Sequence, residues 1–331
     1  MKVIVTGADG LLGSNLVRVL LEQGHSVRVF LQEGKASPTL EGLALEQSHG
    51  DILDPVSLRK AFAGQEAVIH AAANTSIWPA KSEAVRRVNR GGTQAVLDAA
   101  MKAGLGRFVY IGTANSFNPG SKEKPGTEDS AYTAWKYGLD YMDSKYEAQN
   151  LVLAAAKEKG FPALTVNPTF MLGPYDATPS SGAMLIRLYQ GKIFGYTKGG
   201  KCWTHVRDVA VAAANALIAG NVGQSYIAGN QNLDYEEFFS MASKVMGISP
   251  PRIKIPRPLA LAVGFGQSAM AAVNGSTPLL SYTAARIGCE SFYYDPAKAR
   301  KELSMPFTPI ETAVLESFLW LQDHGYLEKS L

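Results

Sequence analysis

The chain has 331 residues, 46% of them hydrophobic and 18% charged, and a formal net charge of +3. This is a soluble globular composition, long enough for a large α/β unit with a smaller appended region. Near-balanced charge without a dense Lys/Arg cluster gives no reason for a nucleic-acid partner. The two cysteines, Cys202 and Cys289, lie far apart, and the five histidines lack metal-ligand spacing. Two reduced thiols in a cytoplasmic protein, with no disulfide framework and no metal site, are therefore expected.

The opening "MKVIVTG" has too short an apolar run for a secretory signal. No stretch reaches the ~18 uninterrupted apolar residues of a membrane span, so no integral membrane segment is expected. The nearest approach, Pro258 to Val273, is broken by Gly264, Gly266, Gln267 and Ser268. It is expected to be a packed or substrate-covering helix rather than a membrane contact.

In chain order, "KVIVTG" reads as a strand and "GLLGSNLVRVLLEQG" as a helix ending at Gly24. "SVRVF" is a second strand, and "DPVSLRKAFAG" a short helix with Asp54 as N-cap and Pro55 at its first position. The strand "AVIHAA", the long helix "EAVRRVNRGGTQAVLDAAMKAG" and the strand "RFVYIGT" follow. A helix then carries Lys145 to about Gly160, and "ALTVNP" is the next strand. Strands separated by helices imply parallel pairing with right-handed crossovers, hence an α/β doubly wound sheet. "VIVT" and "FVYI" lack polar alternation, as strands covered on both faces do.

Beyond Pro168 the elements shorten and Gly, Pro and Ser become frequent. Residues 1–167 are read as the nucleotide-binding domain and 168–331 mainly as a substrate-binding region. Residues 204–222 return to the first domain, with Asp208 expected to cap the helix "DVAVAAANALIAG".

"TGADGLLG" places Gly7, Gly10 and Gly13 between a strand and a helix, with Leu11 and Leu12 at the helix start. Glycine admits a pyrophosphate close to the backbone, and the helix N-terminus offers free N–H groups and a favourable dipole. An acid ending the second strand would accept the ribose hydroxyls of NAD. Here Leu31 and Gln32 stand at that tip, and Lys35 could reach a 2′-phosphate, so NADP is expected ahead of NAD. Asp51 and Ile52 of "GDILD" offer the adenine an acceptor and an apolar contact, Asp51 having a turn role as its alternative. In "HAAA", the small Ala71, Ala72 and Ala73 let a cofactor lie against backbone, and His70 is read as structural.

"YTAWKYGLDYMDSK" holds the spacing Y-x-x-x-K twice, as Tyr132/Lys136 and Tyr141/Lys145. Either pair could in principle move a proton. The stretch after Lys145 is strongly helix-forming, which puts Tyr141 and Lys145 on one helical face. Tyr132 and Lys136 precede Gly138 and lie outside that helix.

Taken in order, "TGADGLLG", "GDILD", "HAAA", "VNRGGTQAVLDAA", "RFVYIGTANSF", "YMDSK", "VNPTFMLGP" and "THVRDVA" resemble the extended short-chain dehydrogenase/reductase superfamily, the NAD(P)-dependent epimerase/dehydratase group. "VNPTFMLGP" and the tail "STPLLSYTAARIG…YYDPAKARKEL…ESFLWLQDHG" look most like its dihydroflavonol reductase and 3β-hydroxysteroid dehydrogenase branch. The resemblance implies a Rossmann-type domain, a C-terminal substrate region and a homodimer joined through two long helices of each subunit. It implies a catalytic set of Thr113, Tyr141 and Lys145, with Ser144 matching the family's habit and Pro168 closing the cofactor side. Asn89 would support a water relay or hold structure. Ser116-Phe117 depart from the usual Val-Tyr after the hydroxyl residue.

The expected chemistry is interconversion of a ketone or aldehyde with an alcohol on a small, largely apolar substrate. A nucleotide-sugar epimerase that retains NAD is the alternative. A dehydratase is disfavoured because Ala114-Asn115 replace the Asp-Glu pair; against the epimerase stand the missing acid at the second strand and the lack of diphosphate-binding arginines near "GGKCWTHV", where only Lys201 is available. Trp78, Phe117, Trp135, Tyr137, Met171 and the segment Leu259 to Val273 are candidate pocket residues.

Overall fold

The computed structural model describes residues 1–327. The first half alternates strand and helix: β1 (Lys2–Thr6), α1 (Leu11–Glu22), β2 (Ser26–Leu31), β3 (Glu46–His49), α2 (Pro55–Phe62) and β4 (Ala67–His70). Then come α3 (Glu83–Arg86), a π-helical segment (Arg87–Gly92), α4 (Thr93–Lys102), β5 (Arg107–Ile111), α5 (Asp140–Lys159) and β6 (Ala163–Pro168). Asp54 caps α2 as expected, accepting from the Val56 and Ser57 amides.

The second half adds β7 (Phe170–Leu172), α6 (Gly182–Tyr189), β8 (Gly195–Tyr196), β9 (Gly200–His205), α7 (Val206–Asn215), β10 (Ser225–Ala228), β11 (Gln231–Asp234) and α8 (Tyr235–Val245). It closes with β12 (Ile253–Lys254), α9 (Arg257–Asn274), α10 (Tyr282–Gly288), β13 (Ser291–Phe292), α11 (Ala297–Leu303) and α12 (Ile310–Asp323).

Seven strands form one parallel sheet in the order β10-β6-β5-β4-β1-β2-β3. It is doubly wound, and the chain reverses direction between β1 and β4, so the crevice at their carboxyl ends is where ligands bind in such sheets. Alternate side chains feed opposite faces. Val3 and Val5 join α1 and α7 in one core, while Ile4, Phe108 and Tyr110 join α2, α4 and α5 in the other. A third core, around Trp203, Phe238 and Val314, holds the C-terminal region.

α7 packs against α1, and β10 extends the sheet beside β6. The expected Asp208 cap is not what is found. α7 starts earlier, and the His205 ring nitrogen Nδ1 accepts from the Arg207 amide at 3.0 Å. Asp208 instead accepts from the Thr308 amide and hydroxyl at 2.8 and 2.7 Å, tying α7 to the segment before α12. α9, expected to be a packed or substrate-covering helix, is not packed on its apolar side: most of its large apolar side chains face solvent.

Candidate active site

The glycine loop explains two of its three glycines from within. Gly7 has φ +69°, and a Cβ there would lie 2.6 Å from the Ala72 nitrogen. A Cβ on Gly13 would lie 2.0 Å from the Gly7 carbonyl oxygen. Gly10, the N-cap of α1, has φ −81° and space: its Cβ would meet only that carbonyl oxygen, at 3.6 Å. Nothing in the protein demands glycine there, whereas a pyrophosphate approaching the helix N-terminus does. Leu11 and Leu12 open α1 just behind it. The cradle therefore fits a dinucleotide.

Around this cradle, Gln32 is exposed immediately after β2. Lys35 forms an ion pair with Asp9 of the glycine loop at 2.6 Å. The Asp51 carboxylate accepts from the Leu53 amide at 2.8 Å, a turn interaction that leaves its second oxygen for other partners. Ile52 is half-buried, and Gly92 leaves room for it: a Cβ there would lie 2.5 Å from the Ile52 Cδ1. The Ala71 and Ala72 amides donate to the Thr6 carbonyl and hydroxyl at 3.1 and 3.3 Å. Together with Ala73 they present short side chains beside the loop. Pro168 ends β6 opposite Ala228.

Tyr141 and Lys145 lie one turn apart on α5, the pair nearer the helix start. Burial raises the Tyr141 phenol pKa, and a hydrogen bond with the Thr113 side chain opposes that rise. Thr113 follows β5, where Gly112 permits close approach of β6: a Cβ there would lie 2.1 Å from Asn167 Oδ1. Lys145 is buried, donates to the Ile111 carbonyl at 2.6 Å, and sits 4.3 Å from the Tyr110 ring centroid. Burial lowers its ammonium to about 7. One of its three donors is used in that bond.

The other tyrosine pair does not converge. Tyr132 donates to the Asp143 carboxylate at 2.5 Å and stacks on Tyr146 at 4.1 Å. Burial and that carboxylate hold its phenol protonated. Lys136 reaches away to Glu290 at 2.9 Å.

Asn89 lies in the π-helical segment, where two glycines weaken the α-helical ladder. Its Oδ1 accepts from the Asn74 amide at 2.8 Å, and its Nδ2 donates to the Asn74 carbonyl at 3.0 Å and to Ser144 Oγ at 3.1 Å. His70 extends the network: Nδ1 is 2.7 Å from Thr6 Oγ1, and Nε2 is 3.1 Å from Thr93 Oγ1. The Thr93 hydroxyl donates to the Asn89 carbonyl at 2.6 Å. It must therefore accept from Nε2–H, and in the neutral ring Nδ1 then accepts from the Thr6 hydroxyl. Burial and the Lys145 charge keep the ring neutral, lowering His70 to about 3. Asn74, Tyr110, Thr6 and Thr93 are partners that the sequence reading missed. Strand alternation could have placed Tyr110 on the α5 face, but nothing local marks Asn74.

Phe117, Tyr137, Phe292 and Tyr294 are buried in one cluster with Ala114, against which Tyr141 and Ile287 pack. Of the other candidate pocket residues, Trp78 and Met171 are half-buried and Trp135 is 68% exposed. Lys201 lies 5.2 and 5.4 Å from the Phe170 and Phe292 ring centroids.

A seven-stranded doubly wound sheet with a glycine loop at its switch point defines a Rossmann-type dinucleotide enzyme of the extended short-chain dehydrogenase/reductase kind. The family model described as "NAD dependent epimerase/dehydratase family" matches residues 3–229. The chain belongs to that family and is an NAD(P)-dependent oxidoreductase or epimerase/dehydratase. It is 30% identical over 329 residues to a protein of Synechocystis sp. that carries the name "Putative dihydroflavonol 4-reductase", covering 98% of this chain and 95% of the relative. It is 28% identical over 332 residues to sterol demethylase protein B of Methylococcus capsulatus, covering 99% and 100%. The crystal structure of gox2253 superposes with a TM-score of 0.87 at 30% identity, covering 99% of each chain.

Proposed function

We propose that this protein is an NADP(H)-dependent reductase/dehydrogenase that interconverts a ketone or aldehyde with an alcohol on a small, largely apolar substrate. The observation that carries the reading is the convergence of the Thr113 and Tyr141 side chains one helical turn from buried Lys145. The aromatic cluster beside Tyr141 suits an apolar carbonyl compound. Gly7, Gly10, Leu11, Leu12, Gly13, Asp51, Ile52, Ala71, Ala72, Ala73 and Pro168 would hold the dinucleotide, and the unused Lys145 donors would take the nicotinamide ribose. When bound, the nicotinamide supplies or accepts the hydride.

Tyr141 does the proton chemistry in this reading. Its raised pKa keeps the phenol protonated at neutral pH, the state that donates to a carbonyl oxygen. Thr113 hydrogen-bonds and orients the same oxygen. Lys145, when charged, lowers the cost of the phenolate left behind. In the alcohol-oxidising direction the phenolate takes the proton back.

NADP is the preferred form, with NAD the alternative. Leu31 and Gln32 provide no carboxylate at the tip of β2, and Asp9 holds Lys35 beside the glycine loop. Residues 1–167 with 204–222 are read as the cofactor domain and 168–331 mainly as the substrate region, in a cytoplasmic homodimer joined through α4 and α5.

The test is a panel of apolar carbonyls and UDP-sugars with NADPH and NADH. Stoichiometric NADPH oxidation with a carbonyl supports the reading. Inversion of a UDP-sugar without net cofactor change overturns it in favour of an epimerase. Lys35→Ala is expected to weaken NADPH about tenfold and leave NADH unchanged; equal effects on both would remove Lys35 from the 2′-phosphate role.

A further inference from the structure

α9 is a helix turned inside out. Its main packing partner is α10, and the stripe facing that partner is small and polar. Ala260, Gly264 and Ala271 are buried. Gln267 Oε1 accepts from the Leu280 amide and Ser268 Oγ from the Tyr282 amide, each at 2.8 Å. The opposite face carries Leu259, Phe265, Met270 and Val273 at 54, 65, 66 and 89% exposure. A surface helix ordinarily shows the reverse arrangement. An apolar patch of this kind marks a protein or membrane contact.

The surrounding charge separates those two. No Asp, Glu, Lys, Arg or His occurs between Arg257, the first residue of α9, and Arg286 in α10, so the hairpin is uncharged between these two cations. Arg252 and Lys254 lead into α9, Arg257 opens it and Arg286 lies in α10, and no acid occurs between Glu237 and Glu290. Lys254 and Arg257 are more than half exposed, and their contacts with Glu236 and Glu290 are long, 3.7 and 3.9 Å. A symmetric dimer across this face would bring two basic rims together. An anionic lipid surface complements them.

Exposed aromatic and aliphatic groups flank the same region. Arg286 donates to the Lys136 carbonyl at 2.9 Å, tying α10 to the turn that carries Trp135. Phe194 and Ile253, 67 and 56% exposed, lie beside and within the β8–β12 pair that leads into α9. Trp favours the membrane–water boundary, where its amphipathic ring sits at the headgroup level.

We propose that the α9–α10 hairpin docks on the surface of an anionic lipid bilayer. Leu259, Phe265, Met270 and Val273 enter the headgroup–acyl boundary, and Arg252, Lys254, Arg257 and Arg286 meet the phosphates. No described helix is long and apolar enough to cross a membrane, so α9 lies on the surface in the manner of an interfacial helix. Ile287 of α10 packs in the cluster that Tyr141 also joins, so the docked face adjoins the wall of the proposed substrate site.

The experiment is vesicle flotation of the full chain, which reads lipid binding independently of turnover. Vesicles of phosphatidylcholine alone are compared with vesicles that also contain phosphatidylglycerol. Binding to the mixed vesicles, weakened by salt, is expected. Phe265→Ser/Met270→Ser/Val273→Ser should reduce it at least about tenfold with an unchanged melting temperature. Arg252→Gln/Lys254→Gln should reduce it about fivefold per cation. Absence of flotation with mixed vesicles, or undiminished flotation of the triple variant, overturns the proposal. So does a dimer that the triple variant converts to monomer without any lipid binding, which would make this face a contact between copies.

Discussion

Asn89 Nδ2 donates to Ser144 Oγ at 3.1 Å, and Ser144 immediately precedes Lys145. The π-helical segment is thereby joined to the face of α5 that carries Tyr141 and Lys145. The same amide group makes both Asn74 contacts, so one side chain fixes a loop and a helix together. Asn89→Ala would leave those buried groups without partners and is expected to cost about 2–3 kcal/mol of stability. In the reductase reading Asn89 positions rather than reacts, so NADPH affinity should stay near the native value while kcat falls. Thermal unfolding, cofactor titration and turnover distinguish this from a purely structural role, for which kcat per folded molecule would be unchanged.

The two tyrosines should separate in a carbonyl-reduction assay. Tyr141→Phe removes the proposed acid and is expected to lower turnover by ~10²–10⁴-fold with NADPH binding intact. Tyr132→Phe removes a hydrogen bond to Asp143 and should change turnover little. A dead Tyr132 variant beside an active Tyr141 variant would reverse the assignment.

The glycine loop offers a contrast between neighbouring positions. Gly13→Ala places a Cβ 2.0 Å from the Gly7 carbonyl oxygen and should deform the loop, lowering the melting temperature. Gly10→Val introduces its Cβ where the nearest atom is 3.6 Å away. That variant should melt near the native temperature yet lose NADPH affinity, as measured by fluorescence titration. Retained affinity would show that no pyrophosphate comes close to Gly10.

His70 should remain neutral across the physiological range. Its folded pKa is lowered to about 3, against an unfolded value of about 6.5. Between those values the unfolded chain binds the extra proton, so stability falls as pH drops through this window. The slope approaches about 1.4 kcal/mol per pH unit at its steepest. Urea unfolding of the native protein and His70→Asn at about pH 7 and 5 checks the sign, since the variant should lose part of the dependence. A ring resonance of His70 that titrates near 6 would contradict the hydrogen-bond assignment.

Much of the fold was legible in the sequence because its signals are local. Short apolar runs separated by longer amphipathic stretches, the Asp54-Pro55 helix start and Gly160 at the end of α5 each act within a few residues. The glycine loop was equally plain, since its strand–turn–helix context is contiguous. Sequence could also prefer Tyr141/Lys145 over Tyr132/Lys136, because the helix-forming run that follows Lys145 is contiguous with that pair, whereas Gly138 separates the other pair from it.

Contacts between distant segments were decided by tertiary structure. Asp208 looks like a helix cap until the fold brings Thr308 to it and leaves the cap to His205. Lys35 is an isolated cation in sequence, and folding places it against Asp9. The direction of α9 was also invisible: the Leu280 and Tyr282 amides at the entry to α10 meet Gln267 and Ser268, and the apolar residues are turned outward. Composition sets what a helix can bury; which side it buries depends on the neighbour that meets its hydrogen-bonding groups.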